Sequence, residues 1–250
     1  NLRTMNSISP HLNIMIKACE KVSKIIIRDF GELENLQVKK KGPKDFVTKT
    51  DKRVEKILIE ELSKNKKNYS FITEETGVIK NLDKDTFWII DPIDGTTNFL
   101  HGIPHFAISI ALKFNNEIKC GVIYDPIKNE IFFAEKNNGS FFNNQRIRVS
   151  NKNDIEECLF ATNHVGAKNS DLNLRYTGCA SLDLAYVGAG RLDGFFQNKI
   201  NIWDVAAGAI IIEEAGGKVN DLNLFEINDV NIRAASSSIY SKMLEKLENF

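Results

Sequence analysis

Apolar residues recur every three or four positions in the N-terminal part of the chain, the spacing of one face of an α-helix. Two such stripes predict two amphipathic helices. The first starts at Ser9-Pro10 and ends at Gly31, and the second starts near Thr50-Asp51. The apolar members are Leu12, Met15, Ile16, Cys19, Val22 and Ile26, then Val54, Ile57, Leu58 and Leu62. The basic segment between them, Lys39–Lys44, contains Gly-Pro and predicts a solvated turn.

Short runs rich in β-branched and aromatic residues follow, with turn residues between them. They predict strands, paired into a mostly antiparallel sheet, at Tyr69–Thr73, Phe87–Asp91, Phe106–Phe114, Glu117–Tyr124 and Glu130–Glu135. After Ser150 strands and helices alternate, which is typical of an α/β unit. The strands predicted there are Cys158–Thr162, Gly194–Phe196, Lys218–Asn220 and Ile232–Ala235, and the helices are Ser181–Gly190, Trp203–Ala215 and one from Ser237. We therefore expect an α+β half over residues 1–150 and an α/β half over residues 151–250.

Composition narrows the class of protein. The 250 residues contain 33 basic and 33 acidic side chains, so the formal net charge is zero. Nucleic acid or an anionic membrane as the main partner would favour an excess of basic charge. Every apolar stretch is shorter than the roughly 20 residues of a membrane-spanning helix, and the first residues lack the pattern of a signal peptide. Four single cysteines form neither a disulfide framework nor a zinc motif, so the cytoplasm is the expected compartment.

The segment Trp88–Asn98 (WIIDPIDGTTN) carries the clearest chemical signal. A buried strand is expected to present Asp91 at its end, Pro92 to interrupt the ladder, and the turn to bring Asp94 back toward the same point. Gly95 would leave room for a ligand beside the backbone, and Thr96 would begin a stretch whose free N–H groups suit a phosphate. On its own, Asp-Gly would be an ordinary surface turn. The coincidence of strand, proline, paired aspartates and Gly-Thr favours a site.

Two converging carboxylates beside a phosphate repel one another unless a cation lies between them. The ligands are all oxygens, and no His or Cys stands close by, which favours Mg²⁺ over zinc or copper. A bound Mg²⁺ could activate a water for attack on a phosphorus atom and stabilise the charge of the leaving alkoxide. The nucleotide-binding motif GxxxxGK[ST] is absent from the sequence. Phosphate ester hydrolysis is therefore favoured over nucleotide-driven transfer.

The string Asp-Pro-Ile-Asp-Gly-Thr-Thr-Asn resembles the signature of the inositol monophosphatase family. Two further motifs of that family match Phe71–Glu75 and Ile202–Gly208, with Glu214–Gly217 downstream. The resemblance covers nearly the whole chain in the expected order. It implies a layered αβαβα fold, a Mg²⁺-dependent and lithium-sensitive phosphatase with two or three Mg²⁺ per site, and a homodimer.

The resemblance also implies roles for individual residues. One metal site would use Glu74, Asp91 and the carbonyl of Ile93, and another would use Asp91, Asp94 and Asp204. Thr96 and Asp51 would form a pair that orients the attacking water. Taken alone, Glu74 with Glu75 could be a solvated acidic pair, Asp51 a helix N-cap, and Asp204 a carboxylate favoured by a helix dipole.

The same resemblance implies contacts with the substrate. It implies one active site that the two halves of the chain share, with substrate contacts from both. Asp94, Gly95, Thr96 and Asp204 would contact the phosphate and the leaving group. Gly178, Cys179 and Ala180 match a stretch that lines the sugar side, and Gln197 stands where many members carry a Glu that binds a ring hydroxyl. An amide loses the charge of that contact, so a strict preference for inositol phosphate is not expected.

A second departure from the family is length. Only 12 positions separate Asn163 from Arg175, where relatives insert a helix. Either the helix has been lost, or a segment is absent from this sequence.

The sequence therefore favours a Mg²⁺-dependent phosphatase of small phosphorylated polyols, with inositol 1-phosphate as the reference substrate. A sugar bisphosphate, histidinol phosphate or a 3′-phosphonucleotide are alternatives within the same fold, although Thr97 stands where members acting on the last carry Lys. An alternative of a different class is a regulatory protein that binds the transcription machinery, with RNA polymerase or nucleic acid as its partner. The balanced charge gives that role no support.

Overall fold

The computed structural model describes residues 8–39, 43–64, 66–163 and 171–247, with backbone alone for 34–39 and 43–46. Half of the predicted basic turn, Lys40 to Gly42, lies outside the described residues. The other half is helical and not a turn, since Lys39 ends one helix and Pro43 and Lys44 begin the next. The greater part of the short segment between Asn163 and Arg175 also lies outside the described residues. Within the described ranges, no helix has the length and apolar character needed to cross a membrane.

The described residues form six α-helices. They are α1 (Pro10–Lys39), α2 (Pro43–Ser63), α3 (Thr96–Leu100), α4 (Ala180–Gly188), α5 (Ile202–Glu214) and α6 (Tyr240–Leu247), with a 3₁₀ turn at Ile155–Glu157. The first two are longer than predicted. The α1 helix passes through Gly31 because the apolar stripe continues to the buried Leu33. The α2 helix begins at Pro43 and not near Thr50, because proline suits the first helical position and Val47 adds another buried residue to the stripe.

The strands form two sheets. In the larger sheet the strands are β1 (Ser70–Thr73), β2 (Gly77–Ile79), β3 (Thr86–Asp94), β4 (Ala107–Phe114), β5 (Glu117–Asp125), β6 (Glu130–Glu135), β7 (Gly139–Phe142) and β8 (Gln145–Arg146). In the smaller sheet they are β9 (Leu159–Ala161), β10 (Asn173–Arg175), β11 (Gly194–Ile200), β12 (Gly217–Val219) and β13 (Val230–Ser236). The larger sheet has the order β2-β1-β3-β4-β5-β6-β7-β8 and the smaller one has the order β10-β9-β11-β13-β12.

The two sheets and the helices packed on their faces form five layers. On β3, Trp88 and Ile90 pack against α1 and α2, while Ile89 faces the opposite way toward α4 and α5. The α4 and α5 helices are buried between the two sheets, and α6 packs through Met243 on the far face of the smaller sheet. The order helix, sheet, helix, sheet, helix confirms the predicted αβαβα sandwich. The division into halves at residue 150 remains a prediction; it falls between the last strand of one sheet and the first of the other.

The predicted antiparallel pairing of the larger sheet is confirmed, with one parallel pair, β1 with β3. The β3 strand does not end at Asp91 as predicted. It continues to Asp94 through a bulge. Asp91 pairs with Ser109 and Asp94 pairs with Ala107, so β3 advances by three residues where β4 advances by two. Pro92, which has no N–H to donate, lies inside this bulge.

The continuation of α1 through Gly31 gives a testable prediction. An added Cβ at Gly31 meets no atom within 4 Å, and the glycine sits inside a helix, so Gly31→Ala should raise stability by roughly 0.5–1 kcal/mol in urea unfolding. Gly208→Ala is the matched control, because its Cβ would lie 2.4 Å from Leu184 Cβ, and it should destabilise the protein. Destabilisation by Gly31→Ala would show that the helix ends at this residue.

Candidate active site

Three aspartates from distant parts of the chain converge in the structure. Asp91 and Asp94 lie on the two sides of the bulge in β3, and Asp204 lies in the first turn of α5. Each offers a carboxylate oxygen, and these oxygens all lie within 4.8 Å of one another. The bulge and the start of a helix from the second half of the chain thus create one cluster of acidic ligands.

Backbone donors hold each of these carboxylates in place. Asp91 Oδ1 accepts a hydrogen bond from the N–H of Ile93 at 2.9 Å. Asp204 Oδ2 accepts from the N–H of Asn201 at 3.1 Å, as part of a capping box at the start of α5. These bonds fix the side-chain rotamers from the residues' own local turns.

Asp94 is held by a different helix. Its Oδ2 accepts from the N–H of Ser181 at 2.6 Å, at the N-terminus of α4, and from the Cys179 thiol at 3.2 Å. The helix N-terminus favours the negative charge on this carboxylate. The position of Asp94 therefore depends on α4 as much as on its own strand.

Glu74 reaches the cluster through the parallel pairing of β1 and β3. Thr73 pairs with Ile90, and the N–H of Glu74 donates to the carbonyl of Ile90 at 3.3 Å, so Glu74 follows β1 at the level where Asp91 continues β3. The negative charge of Glu74 lies close enough to Asp91 to raise the pKa of that carboxyl group. Glu74 is thus a half-buried carboxylate that borders the aspartate cluster and interacts with it electrostatically.

Burial and mutual repulsion disfavour the charged forms of these groups. Burial is the largest cause in each case, followed for Asp91 by Glu74 and for Asp204 by Asp94. The pKa of Glu74 is raised to about 7 and that of Asp204 to about 8, and the pKa values of Asp91 and Asp94 are raised as well. Among the ion pairs of the described residues, none brings a lysine or arginine to these four. A buried set of carboxylate oxygens without a counter-ion fits a hard divalent cation.

Asp51 borders this cluster from α2. It lies well inside the helix, so the alternative of a helix N-cap is wrong. The side chain is 3% exposed, and its Oδ1 has no hydrogen-bond partner among the residues that the structure describes. Burial, Glu74, Glu75 and Glu55 raise its pKa to about 8. A buried acceptor oxygen without a partner next to the cluster is suited to hold a water or another donor.

Thr96 is the first residue of α3, directly after the bulge. Its hydroxyl donates to the carbonyl of Ile93 at 3.0 Å, and Ile93 is the residue whose carbonyl was expected to bind a metal. Because a hydroxyl has a single proton, this bond excludes simultaneous donation from Thr96 to Asp51. The Thr96–Asp51 pair therefore stays a prediction.

Gly95 is needed for a reason other than the one expected from the sequence. Its φ is +91°, a left-handed conformation that L side chains rarely adopt. A Cβ at this position would lie 3.0 Å from the carbonyl oxygen of His105 and 3.3 Å from Cys179 Cβ. The space beside the α-carbon is thus filled by the protein and is not open to a ligand.

The residues expected on the sugar side differ in exposure. Cys179 and Ala180 are buried, and the Cys179 thiol donates to Asp94, so the geometry gives this side chain a role in holding Asp94. Gly178 is exposed and its N–H donates to Asn163 Oδ1 at 3.1 Å. Gln197 lies in β11, where its Oε1 accepts from the N–H of Asn163 at 3.2 Å. Asn163 therefore connects Gly178 and Gln197, the two residues expected on the sugar side that are not buried.

Three polar residues that shape the site were not assigned a role from the sequence. Asn98 Nδ2 donates to the carbonyls of His105 and Thr177, both at 2.8 Å, and so joins α3 to the turn before α4. The Thr177 hydroxyl donates to the buried Asp183 at 2.8 Å, and Ser181 supplies the N–H bound by Asp94. Asn98 belongs to the motif string, but its partner lies 79 positions away, and no sequence pattern connects the two.

An αβαβα sandwich with a buried, all-oxygen carboxylate cluster at a strand bulge defines a class of metal-dependent phosphatases. The comparison with known proteins agrees with this class. The model of the inositol monophosphatase family matches residues 7–249, so the chain belongs to that family and to the phosphoric monoester hydrolases.

Relatives of established name are similar over most of the chain. An inositol-1-monophosphatase of Rhizobium meliloti is 44% identical over 225 residues, which cover 84% of this chain and 85% of that protein. The Nus factor SuhB of Haemophilus influenzae is 39% identical over 256 residues, 96% of each chain. The crystal structure of the extragenic suppressor protein SuhB from Bartonella henselae superposes with a TM-score of 0.85 at 41% identity, covering 96% of this chain and 99% of that one.

The carboxylate cluster predicts that Mg²⁺ stabilises the folded protein. At a concentration about 100 times its dissociation constant, a cation that binds only the folded state contributes about 2.7 kcal/mol, so the thermal midpoint should rise relative to EDTA. Asp91→Asn keeps the oxygen that accepts from Ile93 but removes a buried charge. This variant should unfold at a higher temperature than the parent in EDTA and gain less from Mg²⁺.

The control for this measurement is Asp221→Asn, which changes an exposed aspartate outside the cluster. It should gain as much from Mg²⁺ as the parent protein. An equal gain for Asp91→Asn would place the metal elsewhere.

Proposed function

We propose that this chain is a Mg²⁺-dependent phosphatase that releases phosphate from inositol 1-phosphate or similar small phosphorylated polyols. The observation that carries the proposal is the buried cluster of Asp91, Asp94 and Asp204, whose oxygens lie within 4.8 Å of one another. The similarity to an inositol-1-monophosphatase over 84% of the chain supports the substrate class. The proposal includes Mg²⁺ as the resident metal, two or three ions per site, and the roles of single residues.

The proposed ligands divide between two metal positions that share Asp91. Glu74, Asp91 and the Ile93 carbonyl would form one, and Asp91, Asp94 and Asp204 the other. Bound metal would supply positive charge that activates a water and stabilises the leaving oxygen of the phosphate ester. The hydrogen bonds to Asp91, Asp94 and Asp204 support this arrangement because they orient the carboxylates before any metal binds.

Asp51 and Thr96 are the proposed positioning pair for the attacking water. Asp51 Oδ1 is a buried acceptor without a hydrogen-bond partner in the described part of the chain. It lies among Glu74, Glu75 and Glu55, whose charges favour its taking a proton. The Thr96 hydroxyl is free to rotate from the Ile93 carbonyl when a substrate or water competes for it. Gly95 and Thr96 stay the proposed backbone contacts of the phosphate.

Asp94→Asn tests the central assignment. With inositol 1-phosphate and saturating Mg²⁺, turnover should fall by at least roughly a hundredfold, because one carboxylate is lost from both the metal position and the phosphate side. Asp221→Asn should keep the parent rate. Phosphate release measured over a panel of phosphomonoesters, with and without Mg²⁺, would separate the polyol substrate from the sugar, histidinol and nucleotide alternatives. Wild-type turnover in Asp94→Asn would refute the metal assignment.

Lithium should inhibit the parent enzyme in the same assay.

Gln197 is the proposed determinant of substrate preference. Its Oε1 accepts from Asn163, and a glutamate keeps that acceptor oxygen, so Gln197→Glu should fold normally. A charge-assisted hydrogen bond to a ring hydroxyl adds about 1 kcal/mol, so KM for inositol 1-phosphate should fall about fivefold. KM for glycerol 2-phosphate should stay almost unchanged.

The matched control for Gln197→Glu is Gln145→Glu, an exposed position on β8. It should change neither KM. Equal effects of Gln197→Glu on both substrates would place this residue outside the sugar pocket. A rise in KM for inositol 1-phosphate alone would mean that Gln197 suits another natural substrate.

A regulatory role in transcription is the second candidate function. The similarity to a Nus factor SuhB over 96% of both chains favours it. The net charge of zero gives no sign of direct contact with RNA. A homodimer is proposed on the family resemblance, and a cytoplasmic location is proposed on the four buried free cysteines, which suit a reducing compartment.

A further inference from the structure

A groove of about 860 Å³ lies at the opposite end of β1 and β3 from the acidic cluster. Ile72, Phe87 and Leu224 contribute to its apolar lining. Ser70, at the start of β1, also lines the groove and stands four residues before Glu74, and Phe87 stands four residues before Asp91. At a rise of about 3.3 Å per residue, the Phe87 end of the groove is about 13 Å from Asp91. The groove is thus separate from the candidate active site.

Lys113 is a buried cation in the lining of this groove. Its side chain belongs to β4, the residue is 4% exposed, and its Nζ donates to the carbonyl of Leu224 at 2.7 Å. The ammonium also lies 4.4 Å from the ring centre of Phe225 and 5.3 Å from that of Phe87. Burial lowers the pKa of Lys113. A carbonyl and two aromatic faces only partly replace the hydration of an ammonium group.

A carboxylate partner for Lys113 is missing from the ion pairs of the described residues. The ammonium has three donors, and the hydrogen bond to Leu224 uses one of them. Buried charges in proteins are normally paired, because an unpaired one costs several kcal/mol. This side chain therefore points to an anion that is not part of the described chain.

The charge of the whole groove favours the same kind of ligand. Lys80 and Lys84 also line it, against a single aspartate, Asp85. Neither of these two lysines takes part in an ion pair with the described residues. Phe225 is 73% exposed at the rim of the groove, so its ring offers an apolar face beside these lysines. Cationic and apolar groups thus occur together.

We propose that the Lys113 groove binds a small amphipathic anion, an organic carboxylate, sulfonate or phosphate with an aromatic or aliphatic body. The anionic head would pair with Lys113, and the body would pack on Phe225, Phe87 and Leu224. The volume lies within the roughly 300–1,000 Å³ range of small-molecule sites in proteins. Simple inorganic phosphate does not use the apolar lining, so the proposal requires both parts of the ligand.

The test uses 8-anilinonaphthalene-1-sulfonate with the full chain in Mg²⁺, followed by its fluorescence. The parent protein should bind one equivalent saturably and more weakly at high salt. Lys113→Met keeps the apolar stem and removes the charge, and should weaken binding about tenfold or more. Lys119→Met is the matched control, since Lys119 lies near the ring of Phe114 and pairs with Glu117 outside the groove. It should bind like the parent.

A second pair of variants keeps the test decisive if Lys113→Met does not fold. Phe225→Ala removes a largely exposed ring at the rim and should weaken binding severalfold, while Phe114→Ala, exposed outside the groove, should not. The uncharged analogue N-phenyl-1-naphthylamine should bind the parent much more weakly. Unchanged binding in both Lys113→Met and Phe225→Ala, or equal binding of the uncharged analogue, would overturn the proposal.

Discussion

The mutual repulsion of buried carboxylates is the interaction around which this molecule is arranged. Two like charges about 4 Å apart repel by about 4 kcal/mol at an effective dielectric constant of about 20. Asp91, Asp94 and Asp204 form three such pairs within 4.8 Å, and Glu74 adds to them. The sum is comparable to the whole stability of a typical domain, about 5–15 kcal/mol. Such a cluster persists only where protons or cations reduce its charge and the surrounding fold fixes its geometry.

The fold meets this demand by drawing donors from several layers. The bulge in β3 provides the N–H that holds Asp91, α4 provides the N–H that holds Asp94, and the capping box of α5 holds Asp204. The α4 and α5 helices are buried between the two sheets, so these donors cannot move without disrupting the central layer. Gly208 allows the close contact of α5 with Leu184 of α4. The rigid core therefore serves the site directly, since the same two helices form both.

The sequence predicts the members of the site better than the way they are held. Asp91 and Asp94 stand in one short string, and Glu74 and Asp204 stand in two further motifs, so the resemblance names all four, and their roles remain predictions. The structure brings the three aspartates together. The contact of Asp94 with Ser181 and Cys179 joins residues more than 80 positions apart, and no local pattern encodes it. The same limit explains Gly95, whose neighbours His105 and Cys179 come from other segments.

Local patterns were also insufficient at helix ends. The sequence predicts that α1 ends at Gly31, because glycine commonly follows a helix. The burial of Leu33 stabilises the longer helix that the structure shows. Pro43 was expected in a loop, although a proline is equally suited to the first turn of α2. Tertiary packing decides between two outcomes that the local sequence permits equally.

The arrangement of charge shows most clearly what composition conceals. A formal net charge of zero suggests an electrically even surface, but the two ends of β1 and β3 differ strongly. One end gathers Glu74, Asp91, Asp94 and Asp204, and the other gathers Lys80, Lys84 and Lys113 around one aspartate. The four residues from Phe87 to Asp91 span roughly 13 Å of strand, far beyond the distance at which two charged groups form an ion pair. Each end can therefore hold a ligand of opposite sign, a cation at the carboxylates and an anion at the lysines, without one site cancelling the other.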